Sequence, residues 1–307
     1  MTGNGTKENP YIITTVEELY GMEELGGSDV YFELGNDIDF NGTEYGEHFN
    51  VIPLNCAAFD GKNYAIRNIY KHDPNIVLSI FKPLSTGTIQ INNILFDNIT
   101  LMGKSINIMS EADCTVNMYN CTLLLNIKRC SNSMFDSSGC CLLHGSGVVV
   151  NLELCSIAIK GDYVTLFPFI KRGRVYRTQI NVELCTHNLC TTDDDDSSFF
   201  YSVDVQDSWL SGKIKSIDSN GRRYIYMANA LSGFNNYFQT VTYEAVPFMY
   251  WRASFNGCFY DADVIGSAEF QNRNGSQVNG FSALTTAQCK DAEYLKTIGF
   301  VCEGGDE

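Results

Sequence analysis

A short phrase recurs along this chain, and the recurrence limits the available folds more than any other feature. Phe59-Asp60-Gly61-Lys62-Asn63-Tyr64-Ala65-Ile66-Arg67-Asn68-Ile69 is followed by Thr88-Ile89-Gln90-Ile91-Asn92-Asn93-Ile94-Leu95-Phe96-Asp97-Asn98-Ile99. Placing Asn68-Ile69 over Asn98-Ile99 aligns two segments that each end in asparagine, an aliphatic residue and a polar one. Asn120-Cys121-Thr122, Leu154-Cys155-Ser156 and Leu184-Cys185-Thr186 continue the series with cysteine in the aliphatic place, at successive spacings of 30, 22, 34 and 30 residues from Ile69. Such self-similarity, carried by short alternating apolar runs between Gly, Asn, Asp and Ser, indicates a solenoid. One coil cannot bury its apolar face alone, whereas a stack buries a continuous column and pairs each strand above and below.

The expected fold is therefore all-β: a single-stranded parallel β-helix with short capping helices at both ends. Stacked strands lie about 4.8 Å apart, so seven or eight coils would give a rod roughly 35 to 40 Å long. Ile69, Ile99, Cys121, Cys155 and Cys185 form the expected inward ladder, with thiols as small core fillers. Asn68, Asn98 and Asn120 are expected to turn the corner beside it, because asparagine tolerates the left-handed region.

Three segments follow from the pattern. Residues 1–50 read as an N-terminal cap with its first strands, 51–223 as coils, and 224–307 as an aromatic-rich C-terminal segment ending in a helix. Thr15-Val16-Glu17-Glu18 is a capping box opening a helix to about Leu25, suited to covering exposed strand edges. Thr285-Thr286-Ala287-Gln288 is a second, starting a helix expected to close the other end with Ala292 and Leu295 inward.

Charge narrows the partners. Lys and Arg number 21 against 36 Asp and Glu, a net charge of −15, which argues against gripping nucleic acid through its phosphates. The 12 cysteines would suggest disulfides in a small secreted chain, but no basic stretch leads into an apolar one and no run of eighteen apolar residues occurs. The expectation is reduced structural thiols, no signal peptide and no membrane insertion. Cys140-Cys141 is the exception, since neighbours on a strand face opposite sides and one is a candidate for a disulfide or a reactive thiol.

Candidate chemistry is sparse. Asp193 and Asp195, within four consecutive aspartates, are candidate oxygen ligands for a hard cation, against the plainer reading of a solvated loop. Glu153 and Glu183 each stand two residues before a cysteine, so equivalent places would set them about 5 Å apart on one outer face. Glycan-cleaving acid pairs need roughly that separation; acidic residues are also ordinary at solvent-facing strand positions, and no catalytic residue is expected. His48, His72, His144 and His187 show no metal-ligand spacing, and no cofactor is expected. Aromatics crowd Tyr224 to Tyr260, where Tyr237, Phe238, Tyr250 and Trp251 are the candidates for a glycan or subunit contact. Packing the last coils is their plainer use.

Several motifs together resemble the GLUG-motif β-solenoid proteins. These are Gly-x-Gly-x-x-x-x-Pro-Tyr-x-Ile at 3 to 13, Thr-x-x-x-Leu at 15 to 19, Leu-x-Asn-Asp-Ile-Asp at 34 to 39 and Phe-Asp-Gly-x-x-x-x-Ile-x-Asn-Ile at 59 to 69. Asn256-Gly257-Cys258-Phe259-Tyr260-Asp261, Gly280-Phe281-Ser282-Ala283-Leu284-Thr285-Thr286-Ala287-Gln288 and Ile298-Gly299-Phe300 extend the likeness to the other end, roughly 130 residues in all. The coils from about 104 to 223 lack the family's Gly-Leu-Val-Gly turn. Proteins of this kind are repeat proteins of bacterial surfaces and of bacteriophage fibres. The resemblance implies a virion structural protein, a head or tail fibre or spike for host-surface attachment. It would be a carbohydrate-binding homotrimer among other virion proteins, located in the virion. A tailspike-type polysaccharide depolymerase and a bacterial surface adhesin are the alternatives.

Overall fold

The computed structural model describes residues 1–41, 43, 49–110, 112–129, 147–162, 170, 172–187, 198–201, 203–217, 224–229, 232–234, 237–243, 246–248, 254–256, 258–265 and 281–298. The chain is mostly β-strand and divides into two compact units, Met1–Asp162 and Tyr163–Glu307, a division inside the segment expected to hold the coils.

In chain order the first unit holds β1 (Tyr11–Ile13), α1 (Val16–Tyr20), α2 (Met22–Leu25), β2 (Tyr31–Leu34), β3 (Ile38–Asp39), β4 (Ile52–Leu54), β5 (Ala58–Asp60), β6 (Ala65–Arg67), β7 (Tyr70–Pro83), β8 (Gly87–Asn92), β9 (Leu95–Met109), β10 (Cys114–Tyr119), β11 (Thr122–Arg129), β12 (Val149–Glu153) and β13 (Ser156–Asp162). One sheet runs β1-β2-β5-β8-β10-β12; in another β3, β6, β9, β11 and β13 stack in that order, with β7 joining β4 to β9. All these pairings are parallel.

Alternation along each strand produces the stack. Phe32, Phe59, Ile91, Met118 and Leu152 are in register on the first sheet and fully buried. Ile38, Ile66, Phe96, Leu123 and Ile157 do the same on the second. Each such side chain contributes about 1.5 to 3 kcal/mol on burial. Phe81 on β7 meets Phe96 on β9 edge-on at 5.3 Å, a ring contact between two strands of the second sheet.

The expected single ladder through Ile69, Ile99, Cys121, Cys155 and Cys185 is in fact two columns. Ile69 lies beside Ile99, because Tyr70 pairs with Thr100; Ile99 then pairs with Leu125, and Leu125 with Ile159. Cys121 instead follows Ile94: Thr122 pairs with Leu95, and the Thr122 N–H donates to the Ile94 carbonyl at 2.9 Å. Ser156 pairs with Thr122, which brings Cys155 onto Cys121. The two columns look like one in the sequence because β11 is irregular between Leu123 and Leu125, so Leu124 stands where Asp97 and Asn98 stand on the neighbouring strand β9. Cys185 falls well inside a strand rather than at its start, as set out below.

The N-terminal helix is broken at Gly21 into α1 and α2 rather than running unbroken to Leu25. Thr15 caps α1 by accepting from the Glu18 N–H, while the Glu18 carboxylate accepts from the N–H and hydroxyl of Thr14. α1 and α2 pack against β4, which among the described residues pairs with β7 alone.

The second unit holds β14 (Gly173–Tyr176), β15 (Gln179–His187), β16 (Ser198–Tyr201), β17 (Val203–Gln206), β18 (Trp209–Ile217), β19 (Tyr224–Asn229), β20 (Ser232–Phe234), β21 (Tyr237–Tyr243), β22 (Val246–Phe248), β23 (Ser254–Asn256), β24 (Cys258–Asp261), α3 (Ala262–Ile265), β25 (Phe281–Leu284), α4 (Thr286–Cys289) and α5 (Ala292–Thr297). Three parallel arrays form, β14-β17-β20-β23, β15-β18-β21-β24-β25 and β16-β19-β22.

The Thr285–Gln288 capping box is present, and Leu295 is buried, but Ala292 is exposed. Leu295 packs with Phe259, Leu284 and Cys289, and Trp209 lies against the same cluster. Trp209 sits on β18, three strands in from the terminal β25, about 14 Å. Among the described residues no helix is long and apolar enough to cross a membrane.

Candidate functional site

Corner chemistry repeats along the chain. Asn93, Asn120 and Leu154 in the first unit, and Arg177 and Asp207 in the second, have φ between 45° and 53°, each directly after the last residue of a strand, β8, β10, β12, β14 and β17 respectively. Amides run along the corner: the Asn120 Nδ2 donates to Asn93 Oδ1 at 2.8 Å, and the Asn93 Nδ2 to Asp60 Oδ1 at 3.1 Å. A second line starts from Asp39, which accepts from Asn68, which accepts from Asn98. The bonds from Asn68 and from the Asn41 N–H hold the Asp39 carboxyl below its ordinary value.

The residue after each of these corners turns inward, and where it is Cys, Thr or Ser it donates back. Cys121 Sγ lies 3.4 Å from the Tyr119 and Ile91 carbonyls, and Cys155 Sγ 3.4 Å from those of Glu153 and Met118. In the second unit the hydroxyl of Thr178 donates to the Tyr176 carbonyl, and that of Ser208 to Gln206. Thr178, not Cys185, therefore holds the position equivalent to Cys155. The hydrogen bond to Cys155, and then burial, push the Cys121 thiol up; burial alone pushes Cys56 up to about 12. These are core thiols rather than nucleophiles.

Two outward features remain as candidates. On the first unit, Gln90, Asn117 and Asn151 are in register, with the Asn151 Nδ2 donating to Asn117 Oδ1 at 2.8 Å. Beside them run Thr88 and Thr115, and Asn92, Tyr119 and Glu153, Tyr119 being 43% exposed. This is a flat face of amide, hydroxyl and aromatic groups repeating about every 4.8 Å.

On the second unit, Val175 and Val205 are buried and paired, so Arg174 and Tyr176 face outward opposite Asp204 and Gln206. The guanidinium carbons of Arg174 and Arg177 lie 5.0 and 5.1 Å from the Tyr176 ring centroid. Arg174 also donates to Gln206 Oε1 at 3.1 Å and lies 3.9 Å from Asp204. This cluster was missed in the sequence, although Arg174-Val175-Tyr176-Arg177 sets three of its groups on one outward stretch.

The sequence candidates are scattered. Glu153 ends β12 in register with Tyr119, whereas Glu183 lies within β15 in register with Lys213. They belong to different sheets and are not equivalent positions, so the register that suggested an acid pair does not hold. Tyr237 and Phe238 pair with Trp209 and Leu210 through β21; their side chains, with Tyr250, Trp251, Asp193, Asp195, Cys140 and Cys141, lie outside the described residues. Among the described residues no group of three His, Cys, Asp or Glu is arranged to hold a metal ion.

No protein-family model matches the chain, and a comparison with curated proteins finds no match. Among solved structures the chain is similar to one from Bacteroides ovatus described as a "putative immunoglobulin A1 protease", with a TM-score of 0.43 and 13% identity over 97% of this chain and 88% of that one.

Proposed function

We propose that this chain is an attachment protein of a bacteriophage virion, a fibre or spike whose coils form a single-stranded parallel β-helix and present outward rows of side chains to carbohydrate on a host surface. The observation that carries the reading is the in-register face of Gln90, Asn117 and Asn151 beside Thr88, Thr115 and Tyr119. Amides and hydroxyls bond sugar hydroxyls, and an exposed aromatic ring supplies apolar contact area at small entropic cost. Repetition at the strand spacing suits a polymer, because each further sugar meets a similar set of groups. The phage assignment, the homotrimer and the other virion proteins as partners rest on the sequence resemblance.

The β-helix reading is supported by the corner geometry: a strand of one sheet, a left-handed residue, then a strand of the other sheet, with the next coil in register. The test adds purified chain to a panel of intact gut bacteria and measures the bound fraction by flow cytometry. Binding that soluble surface polysaccharide displaces, and that Asn117→Ala with Asn151→Ala weakens without changing the circular dichroism, is the expected outcome. No binding across the panel refutes attachment; absence of the chain from purified particles of the encoding phage refutes the virion assignment.

A further inference from the structure

We infer that Arg174, Tyr176 and Arg177 form a subsite for the carboxylate of an acidic sugar. This rests on the attachment reading and names the chemistry of one class of its ligand. The chain carries 36 acidic against 21 basic residues, so two guanidiniums held over one ring stand against the average charge of the molecule. Arg174 is fixed by Gln206 and shares the charge of Asp204 at 3.9 Å, with both side chains 52% exposed. Arg177 is exposed, and the Tyr176 ring is the contact its guanidinium makes among the described residues.

Position adds to the case. Arg177 occupies a left-handed corner, φ 45°, where Asn93, Asn120, Leu154 and Asp207 stand at other corners. An arginine gains nothing from that conformation, whereas Asn and Asp bond locally there. The corner does project the side chain beside Tyr176, so that the guanidiniums of Arg177 and Arg174 lie 5.1 and 5.0 Å from the same ring centroid. Guanidiniums pair with carboxylates through two parallel N–H bonds, a geometry that a lysine or a neutral amide does not reproduce. Gln206 and Tyr176 remain beside the charge for the ring hydroxyls of the same sugar.

The experiment uses isothermal titration calorimetry on the full chain. The probes are oligogalacturonate of four to six residues and sialyllactose, against methyl-esterified oligogalacturonate, lactose and sulfated lactose. At least one carboxylated probe is expected to bind, with its uncharged counterpart at least about tenfold weaker, the factor one charge-assisted contact supplies. Arg177→Ala and Arg174→Ala should each lower that affinity about tenfold or more, and Arg177→Lys should recover only part of it. Tyr176→Phe keeps the ring and should change it less than Tyr176→Leu. Circular dichroism and melting of each variant show whether the fold persists.

Failure of both carboxylated probes, equal binding of charged and uncharged forms, preference for sulfate, or unchanged binding in folded Arg177→Ala overturns the inference. Cells bound without carboxylated probes leave attachment standing and remove only this subsite. Probes bound without cells do the reverse.

Discussion

Asn93→Ala tests the corner architecture most directly. Asn93 holds φ 53°, donates to Asp60 Oδ1 at 3.1 Å and accepts from Asn120 at 2.8 Å. Alanine removes both side-chain bonds, about 1 kcal/mol each at the low end appropriate to part-exposed groups. Alanine keeps a Cβ in the left-handed region but loses the local bonding by which asparagine offsets it, a further cost of about 1 kcal/mol. The expected loss is about 3 kcal/mol. Asn93→Gly removes the same bonds without the Cβ cost and should lose about 2 kcal/mol. Melting followed by circular dichroism reads both: at about 2 to 4 °C per kcal/mol for units of this size, alanine should melt about 6 to 12 °C below the parent and glycine several degrees above alanine. Asn151→Ala, which breaks one bond on an ordinary strand, sets the scale at about 1 kcal/mol. Glycine as destabilising as alanine would refute the conformational part of the reasoning, and alanine within about 0.5 kcal/mol of the parent would refute the amide line itself.

Leu154 interrupts that amide line at φ 52°, directly after Asn120 in the stack. Leu154→Asn should raise stability by about 1 kcal/mol, relieving the corner and donating a new side-chain bond to Asn120 Oδ1; a lower melting temperature would contradict it. Asp39 has a carboxyl lowered by its bonds from Asn68 and Asn41, so the stability it confers is present above its ordinary value of 3.8 and is lost as pH falls through the lowered one. Melting from pH 6 to pH 2 should therefore decline less steeply at the acid end in Asp39→Asn, and identical slopes would exclude the linkage. Thr286 donates its hydroxyl to the fully buried Asp261 carboxylate at 2.9 Å. Thr286→Ala should cost about 1.5 to 3 kcal/mol locally and open the C-terminal helices to limited proteolysis, an effect that an unchanged cleavage pattern would disprove.

Much of the stack is legible in the sequence, because alternation and asparagine corners are both local signals. Phe59, Ile66, Ile91 and Phe96 are inward by alternation alone, and Asn68, Asn98 and Asn120 do hold the left-handed corners expected of them. Register is not local. Asn98-Ile99 and Asn93-Ile94 carry the same two-residue signature five residues apart, and only pairing across coils shows that Cys121 follows the second. The irregularity at Leu124 hides the difference, since it removes a residue from one side of the coil. Cys185 misled for the same reason: a Leu-Cys-Thr triplet imitates the corner, while the real corner is Arg177-Thr178, with neither Asn nor Cys. The surface cluster was missed because attention to aromatic density favours Tyr224 to Tyr260, whereas a single tyrosine between two arginines carries no density signal.

The corners also explain where such a stack can vary without losing its fold. Inward positions are fixed by burial and by contact with the coils on either side, so changes there propagate to neighbours. The residue after a corner is buried and can be aliphatic, as Ile94 is, or a small donor, which thiol and hydroxyl supply alike, as Cys121, Cys155, Thr178 and Ser208 illustrate. The corner residue itself points outward and is constrained mainly by φ, at about 1 kcal/mol for a residue other than Asn, Asp or Gly. That cost is small against the burial contributed by each coil. A corner can therefore exchange an asparagine for a residue chosen for its surface chemistry, and Arg177 is where this chain places a planar cation beside a tyrosine.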